Sequence, residues 1–191
     1  MKKKIVDTLL ITFFIFFVSN AVFAENYPAM YEEAQPANFE LVHNLDPFQN
    51  EDYQKYAWSP FPLFRLSSDV YFKGQTIPAG YYILTPRTMN GKEYIFFKEA
   101  GTVKYIIPVM KKDLVPIDFY HTKIPEPKYT KWQSFCKKTR DGFYTVFRNS
   151  SQKSPPPSSY IVTEIIDGNY YLIVVYYGEH KYYMVFKSQK G

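Results

Sequence analysis

Basic and aromatic residues alternate in one stretch of the chain, residues 111–140. Cationic side chains attract phospholipid head groups and cell-wall acids, and aromatic rings beside lysines can stack on sugars or receive an apolar peptide. Ordinary solubilising charge is the alternative, because residues 25–191 carry 20 bases and 17 acids, a net charge of only +3. The pattern predicts a binding surface made of Lys111, Lys112, Lys128, Tyr129, Lys131, Trp132, Lys137, Lys138 and Arg140.

The residue spacing indicates neither a metal site nor a reactive thiol. His43, His121 and His180 lie far apart, and none has a partner at the spacing of zinc ligands. Cys136 is the single cysteine, so no intramolecular disulfide forms, and no local signature marks it as a nucleophile. We expect no metal and no other cofactor.

Carboxylates near strand ends keep one enzymatic alternative open. A glycan hydrolase needs two acids held about 5–10 Å apart across a cleft. Glu164, Asp167 and Glu179 are candidates for such a pair, although the pattern favours solvated acids at strand ends. Whether the protein is an enzyme stays open, and a non-enzymatic role is favoured.

The first 24 residues have the three parts of a secretory signal peptide. Lysines occupy positions 2–4, residues 9–18 form a ten-residue apolar run, and residues 22–24 supply small residues for cleavage. An uncleaved anchor is the alternative, but a spanning helix needs about 20 apolar residues. We expect export to the periplasm or exterior of a bacterial cell, no later membrane span, and, because of the export, no nucleic-acid partner.

Charge divides the remaining chain into two parts. Residues 25–60 hold seven acids and one base, whereas residues 61–191 hold 19 bases and ten acids. The acidic part contains four prolines and predicts an irregular arm with a short helical turn near residues 50–56. Its seven aromatic residues indicate that parts of it pack on the rest of the chain as a strap. We also consider that this arm neutralises the basic surface in competition with an external ligand.

From residue 61 on, the sequence predicts an all-β domain of about eight to nine strands, either a single-domain sandwich or a β-rich meander. Turn residues separate short aromatic and β-branched runs. One long proline-rich loop is expected at residues 150–159, and helix is limited to one or two short turns. The clearest predicted strands are residues 81–86, 102–109, 143–148, 160–166, 170–177 and 181–187.

Several local features carry more specific predictions. Asn90-Gly91 suits a tight hairpin turn. Pro108 lacks an amide donor, which places strand 102–109 at a sheet edge, with Val103, Tyr105, Ile107 and Val109 on one face. The unbroken apolar run at residues 170–177 predicts a central strand covered on both sides. Thr130 and Gln133 predict a capping box that opens a turn or two.

A weak internal repeat relates residues 90–110 to residues 167–187. The two segments match at five positions when shifted by 77 residues, and both contain a turn, a strand, a glycine turn and a second strand. Duplication of one β-meander is one explanation, and chance similarity between tyrosine-rich hairpins is the other. The sequence as a whole predicts an exported β-rich module that contacts an anionic lipid, a glycan or another protein of the cell envelope.

Overall fold

A computed structural model describes residues 26–124, 130–146 and 153–189 of the chain. The predicted signal peptide lies outside these ranges. The helices are α1 (Tyr27–Glu33), a 3₁₀ turn (Val42–Asn44), α2 (Gln49–Lys55), α3 (Phe119–Lys123) and α4 (Lys131–Val146). The strands are β1 (Leu63–Leu66), β2 (Val70–Phe72), β3 (Gln75–Ile77), β4 (Gly80–Met89), β5 (Lys92–Glu99), β6 (Thr102–Pro108), β7 (Lys111–Leu114), β8 (Ser159–Ile166), β9 (Tyr170–Tyr177) and β10 (His180–Lys187).

These strands form two antiparallel sheets in a sandwich-like arrangement, so the prediction of a mostly β protein is confirmed. The smaller sheet has the order β1-β4-β5-β6, and the larger has the order β3-β2-β10-β9-β8, with β7 also paired to β10. Phe97 of the smaller sheet meets Phe186 of the larger at a ring distance of 6.1 Å, at the centre of the core. Ten described strands exceed the expected eight to nine, because the short strands β2, β3 and β7 carry too few residues to show a period.

Strand positions within the sheets follow the sequence signals. β6 lies at an edge of the smaller sheet, as Pro108 predicts, and β9 pairs on both sides, as its continuous apolar run predicts. Asn90 and Gly91 join β4 to β5 with φ values of 52° and 74°. Both values fall in the left-handed region that a tight hairpin turn with right-handed strand twist requires.

A β-bulge in β6 overturns the expected alternation of that strand. Phe97 pairs with Tyr105 and Lys98 pairs with Val103, which leaves Lys104 as an extra residue. Val103 therefore turns away from the central core and joins Phe96 in a second cluster on the outer face of the smaller sheet. The other three apolar residues of the predicted face stay in the central core.

The longest helix is the largest departure from the sequence prediction. Thr130 caps it as expected: its Oγ1 accepts from Gln133 N at 3.3 Å, and its own N–H donates to Gln133 Oε1 at 2.9 Å. The helix then continues for 16 residues instead of one or two turns, and it includes most of the predicted strand 143–148. Half of residues 131–140 are good helix formers and none is proline, so a capped start can propagate through the region.

The acidic arm packs on both sheets. Phe39 lies edge-on to Tyr94 at 5.2 Å, on the outer face of the smaller sheet. Tyr31 of α1 is buried, contacts Phe72 of the larger sheet at 5.9 Å, and accepts a hydrogen bond from Lys73 N at 3.0 Å. The predicted helical turn near residues 50–56 is present as α2, whereas α1 and the 3₁₀ turn are additional.

Candidate functional site

The predicted binding residues fall on two separate elements. Lys128 and Tyr129 lie outside the described residues. Lys111 and Lys112 belong to β7, and α4 carries Lys131, Trp132, Lys137, Lys138 and Arg140. The described members therefore do not form a single patch along one strand, and α4 holds most of them.

The two lysines of β7 point to opposite faces of their sheet and already have anionic partners. Lys111 Nζ lies 2.9 Å from Asp113 Oδ2, and its hydrogen bond is the main reason why the pKa of Asp113 is lowered. Lys112 Nζ lies 2.5 Å from Glu93 Oε1. Each ammonium group also sits over a tyrosine ring of β10. These contacts make both lysines part of the packing between strands.

Helix α4 presents an aromatic stripe to solvent. Trp132 and Phe135 are 72% and 61% exposed, and their rings stack at 5.8 Å with an interplanar angle of 24°. Cys136 and Thr139 lie on the same face, because positions i, i+3, i+4 and i+7 align along a helix. All side chains from Lys131 to Arg140 are exposed, apart from the half-buried Ser134.

Basic residues border this stripe on both sides. Helical geometry places Lys131 and Lys138 along one border and Arg140 along the other, while Lys137 lies on the far side of the helix. Residues 131–140 contain these four bases and no acid, a net charge of +4. An exposed aromatic face between cationic borders is typical of helices that lie in the head-group region of a membrane. We call residues 131–140 the basic helix face.

Sequence reasoning missed a buried ion cluster that fastens the arm to the smaller sheet. Asp46 accepts from Arg87 Nη2 at 2.7 Å and from Lys98 Nζ at 3.1 Å, and Arg87 also pairs with Asp52 of α2. Burial alone would raise the pKa of Asp46, but hydrogen bonds and charge from both cations outweigh it and lower that pKa. Lys98 lies on the same face of β5 as Phe96, and a lysine on an aromatic face is the signal that could have revealed the cluster.

Several acids of the arm neutralise cations of the sheets. Glu32 pairs with Lys73 at 3.3 Å and with Lys187 at 3.7 Å, in addition to the Asp46 cluster. The expected competition between the arm and an external ligand stays a prediction.

Of the three predicted carboxylates, Glu164 and Asp167 are exposed and lie three residues apart near the end of β8, whereas Asp167 and Glu179 do not converge. Asp167 precedes β9 and Glu179 follows it, so they lie at opposite ends of an eight-residue strand, about 26 Å apart. That distance exceeds the separation that glycoside hydrolysis allows. A different pair, Glu33 and Glu93, lines a groove of about 480 Å³ between α1 and the ends of β5 and β6.

The three histidines lie on three different elements, the 3₁₀ turn, α3 and β10. Within the described ranges, no three histidine, cysteine, aspartate or glutamate side chains gather where they could hold a metal ion. No helix in the described part of the chain is both long and apolar enough to cross a bilayer. Comparison with protein-family models, with curated proteins and with solved structures found no match.

Proposed function

We propose that this protein is an exported, non-enzymatic module of the bacterial cell envelope that binds an anionic membrane surface through the basic helix face. The observation that carries the proposal is the exposed Trp132–Phe135 stack on a ten-residue segment, residues 131–140, that contains four bases; Asp141 follows directly in the same helix. Aromatic rings favour the interfacial layer, and each lysine near an anionic bilayer contributes about 1 kcal/mol.

Vesicle binding tests this proposal. The full chain is expressed in a bacterial host and purified from the periplasmic fraction, where N-terminal sequencing should begin at Glu25. It should sediment with vesicles that contain phosphatidylglycerol and not with zwitterionic vesicles. Binding should weaken as salt rises, because the attraction is screened.

Charge variants locate the contact. Lys131→Gln combined with Lys138→Gln should weaken binding about 30-fold, since two charges worth about 1 kcal/mol each are removed. Lys92→Gln combined with Lys104→Gln changes the net charge equally at exposed positions of the smaller sheet. Equal effects of the two pairs would show that only net charge matters, and the proposal would fail.

Hydrolysis of an envelope glycan is the second candidate function. Its supporting observation is the pair Glu33 and Glu93 in the groove beside α1. Release of reducing ends from isolated cell-wall glycan, lost in Glu33→Gln and Glu93→Gln, would support it. No release by the unmodified protein would remove it.

A further inference from the structure

A short apolar loop, residues 114–117, stands out from the end of β7. Ile117 is 93% exposed and Leu114 is 70% exposed, and Ile124, just beyond α3, is 40% exposed. No other described large apolar side chain is as exposed as Ile117. Aliphatic side chains are stabilised when they are buried, and these remain in water. A rigid element that exposes them is therefore a candidate contact surface.

The loop is held in place by its neighbours. Val115 N donates to Glu179 O at 2.9 Å, and Phe119 N donates to Pro116 O at 3.0 Å. The Phe119 ring stacks on Tyr176 at 4.1 Å with an interplanar angle of 5°. The aliphatic tips are thus fixed in an exposed position before any partner arrives, which reduces the entropy lost on binding.

Charge around the loop is close to balanced. Lys111 and Lys112 precede it, but each is paired with an acid. The exposed Lys123 follows the loop, and the acids Asp118 and Glu179 lie beside it. The electrostatic attraction to an anionic surface therefore comes from the basic helix face and not from the loop.

The loop also lies close to the basic helix face along the chain. Six residue steps separate Ile124 from Thr130, which limits the distance between their Cα atoms to about 20 Å. A membrane patch that contacts one of these elements is therefore broad enough to reach the other. A protruding aliphatic tip suits the acyl region of a bilayer better than a protein hot spot, which is enriched in Trp, Tyr and Arg.

We infer that Leu114 and Ile117 insert into the outer acyl layer of the anionic bilayer that α4 binds; this inference rests on the proposed function. It adds a second, apolar contact to an electrostatic one. Two contacts of this kind are what stable attachment of a peripheral protein requires.

An environment-sensitive dye at position 117 tests the insertion. The full chain with Cys136→Ala is the reference variant, and its vesicle affinity is measured first. Ile117→Cys is then added to this variant and labelled with the dye NBD. The matched control is Ile165→Cys in the same background, since Ile165 is 66% exposed on β8, near the other end of the larger sheet. On phosphatidylglycerol vesicles, emission should rise severalfold and shift to the blue at position 117 and stay unchanged at position 165.

Affinity gives a second measurement. Ile117→Asn should weaken vesicle binding about tenfold, because a buried aliphatic side chain contributes at least that factor, and Ile165→Asn should stay within twofold. Vesicle binding with an unchanged dye signal at position 117 and an unchanged affinity of Ile117→Asn would overturn the insertion and leave the proposed function standing. Absence of any vesicle binding would overturn both.

Discussion

Replacement of Asp46 by asparagine should destabilise the whole protein through the arm. The side chain of Asp46 is fully buried, and those of Arg87 and Lys98 are 10% and 7% exposed. Asp52 balances one of the two cations, so the variant leaves one buried positive charge uncompensated. Asparagine keeps the shape, and its oxygen can still accept from Phe48 N, so the loss is mainly that of charge.

Removing one partner of a buried ion pair costs about 3–5 kcal/mol. Since Asp52 remains beside Arg87, we expect a loss of stability at the lower end of this range, about 3 kcal/mol. For a chain of this size each kcal/mol lowers Tm by about 2–4 °C, so the expected fall is roughly 6–12 °C. Lys98→Met added to Asp46→Asn restores charge balance and should recover at least half of the loss.

Urea unfolding followed by circular dichroism measures these differences. Glu40→Gln is the matched control, because Glu40 is an exposed acid of the same arm and should change stability by less than about 0.5 kcal/mol. The pKa of Asp46 is lowered in the folded protein, so its contribution is complete above pH about 4 and disappears as pH falls through the folded pKa. The gap between wild type and Asp46→Asn should therefore close in acid. A loss below 1 kcal/mol at pH 7, or no rescue by Lys98→Met, would refute the reasoning.

Three further substitutions test individual elements. Gly91→Ala should cost about 1–2 kcal/mol by urea unfolding, because its φ of 74° strains any residue with a Cβ atom even though nothing lies within 4 Å of that atom. Thr130→Ala removes the side-chain oxygen that accepts from Gln133 N, so α4 should lose about 1 kcal/mol of stability. Both the helical circular dichroism signal and vesicle binding should then fall, and an unchanged spectrum would contradict this. Phe119→Ala removes the stack on Tyr176 and should accelerate proteolysis near residue 117, whereas an unchanged cleavage pattern would show that other contacts hold the loop.

Local signals determined much of the β structure. The turn at Asn90-Gly91 needs only two residues that tolerate positive φ, so it is visible in the sequence. The edge position of β6 follows from Pro108, whose missing donor is a property of one residue. The predicted orientation of Val103 was wrong because β6 contains a bulge. A bulge depends on how two strands pair, and the sequence of β6 alone does not show how it pairs with β5.

The residues of the candidate site could be predicted from the sequence, but their arrangement in space could not. The clustering of bases with Trp132 and Phe135 is present in the sequence, yet the helix that aligns them was expected to span only a turn or two. A strand was expected beyond it because aromatic and β-branched residues at 143–146 favour strands locally, and cooperative propagation from the cap at Thr130 outweighs that preference. Pairing of Lys112 with Glu93 of another strand required the fold itself.

The structure shows what some of the acids concentrated in the arm do. Three of the arm's seven acids, Glu32, Asp46 and Asp52, pair with sheet cations, and the charges of Asp46 and Asp52 are neutralised inside the fold. Deleting residues 25–60 would leave Arg87 and Lys98 without Asp46 and would uncover the outer face of the smaller sheet, so loss of binding after that deletion would report unfolding. Reversal of an exposed arm acid, Glu40→Lys, separates the two effects. If the arm competes with the membrane, this variant strengthens vesicle binding by more than its two-unit change in net charge accounts for, about 2 kcal/mol. If the arm is a structural strap, as its contacts indicate, the affinity changes by no more than that amount.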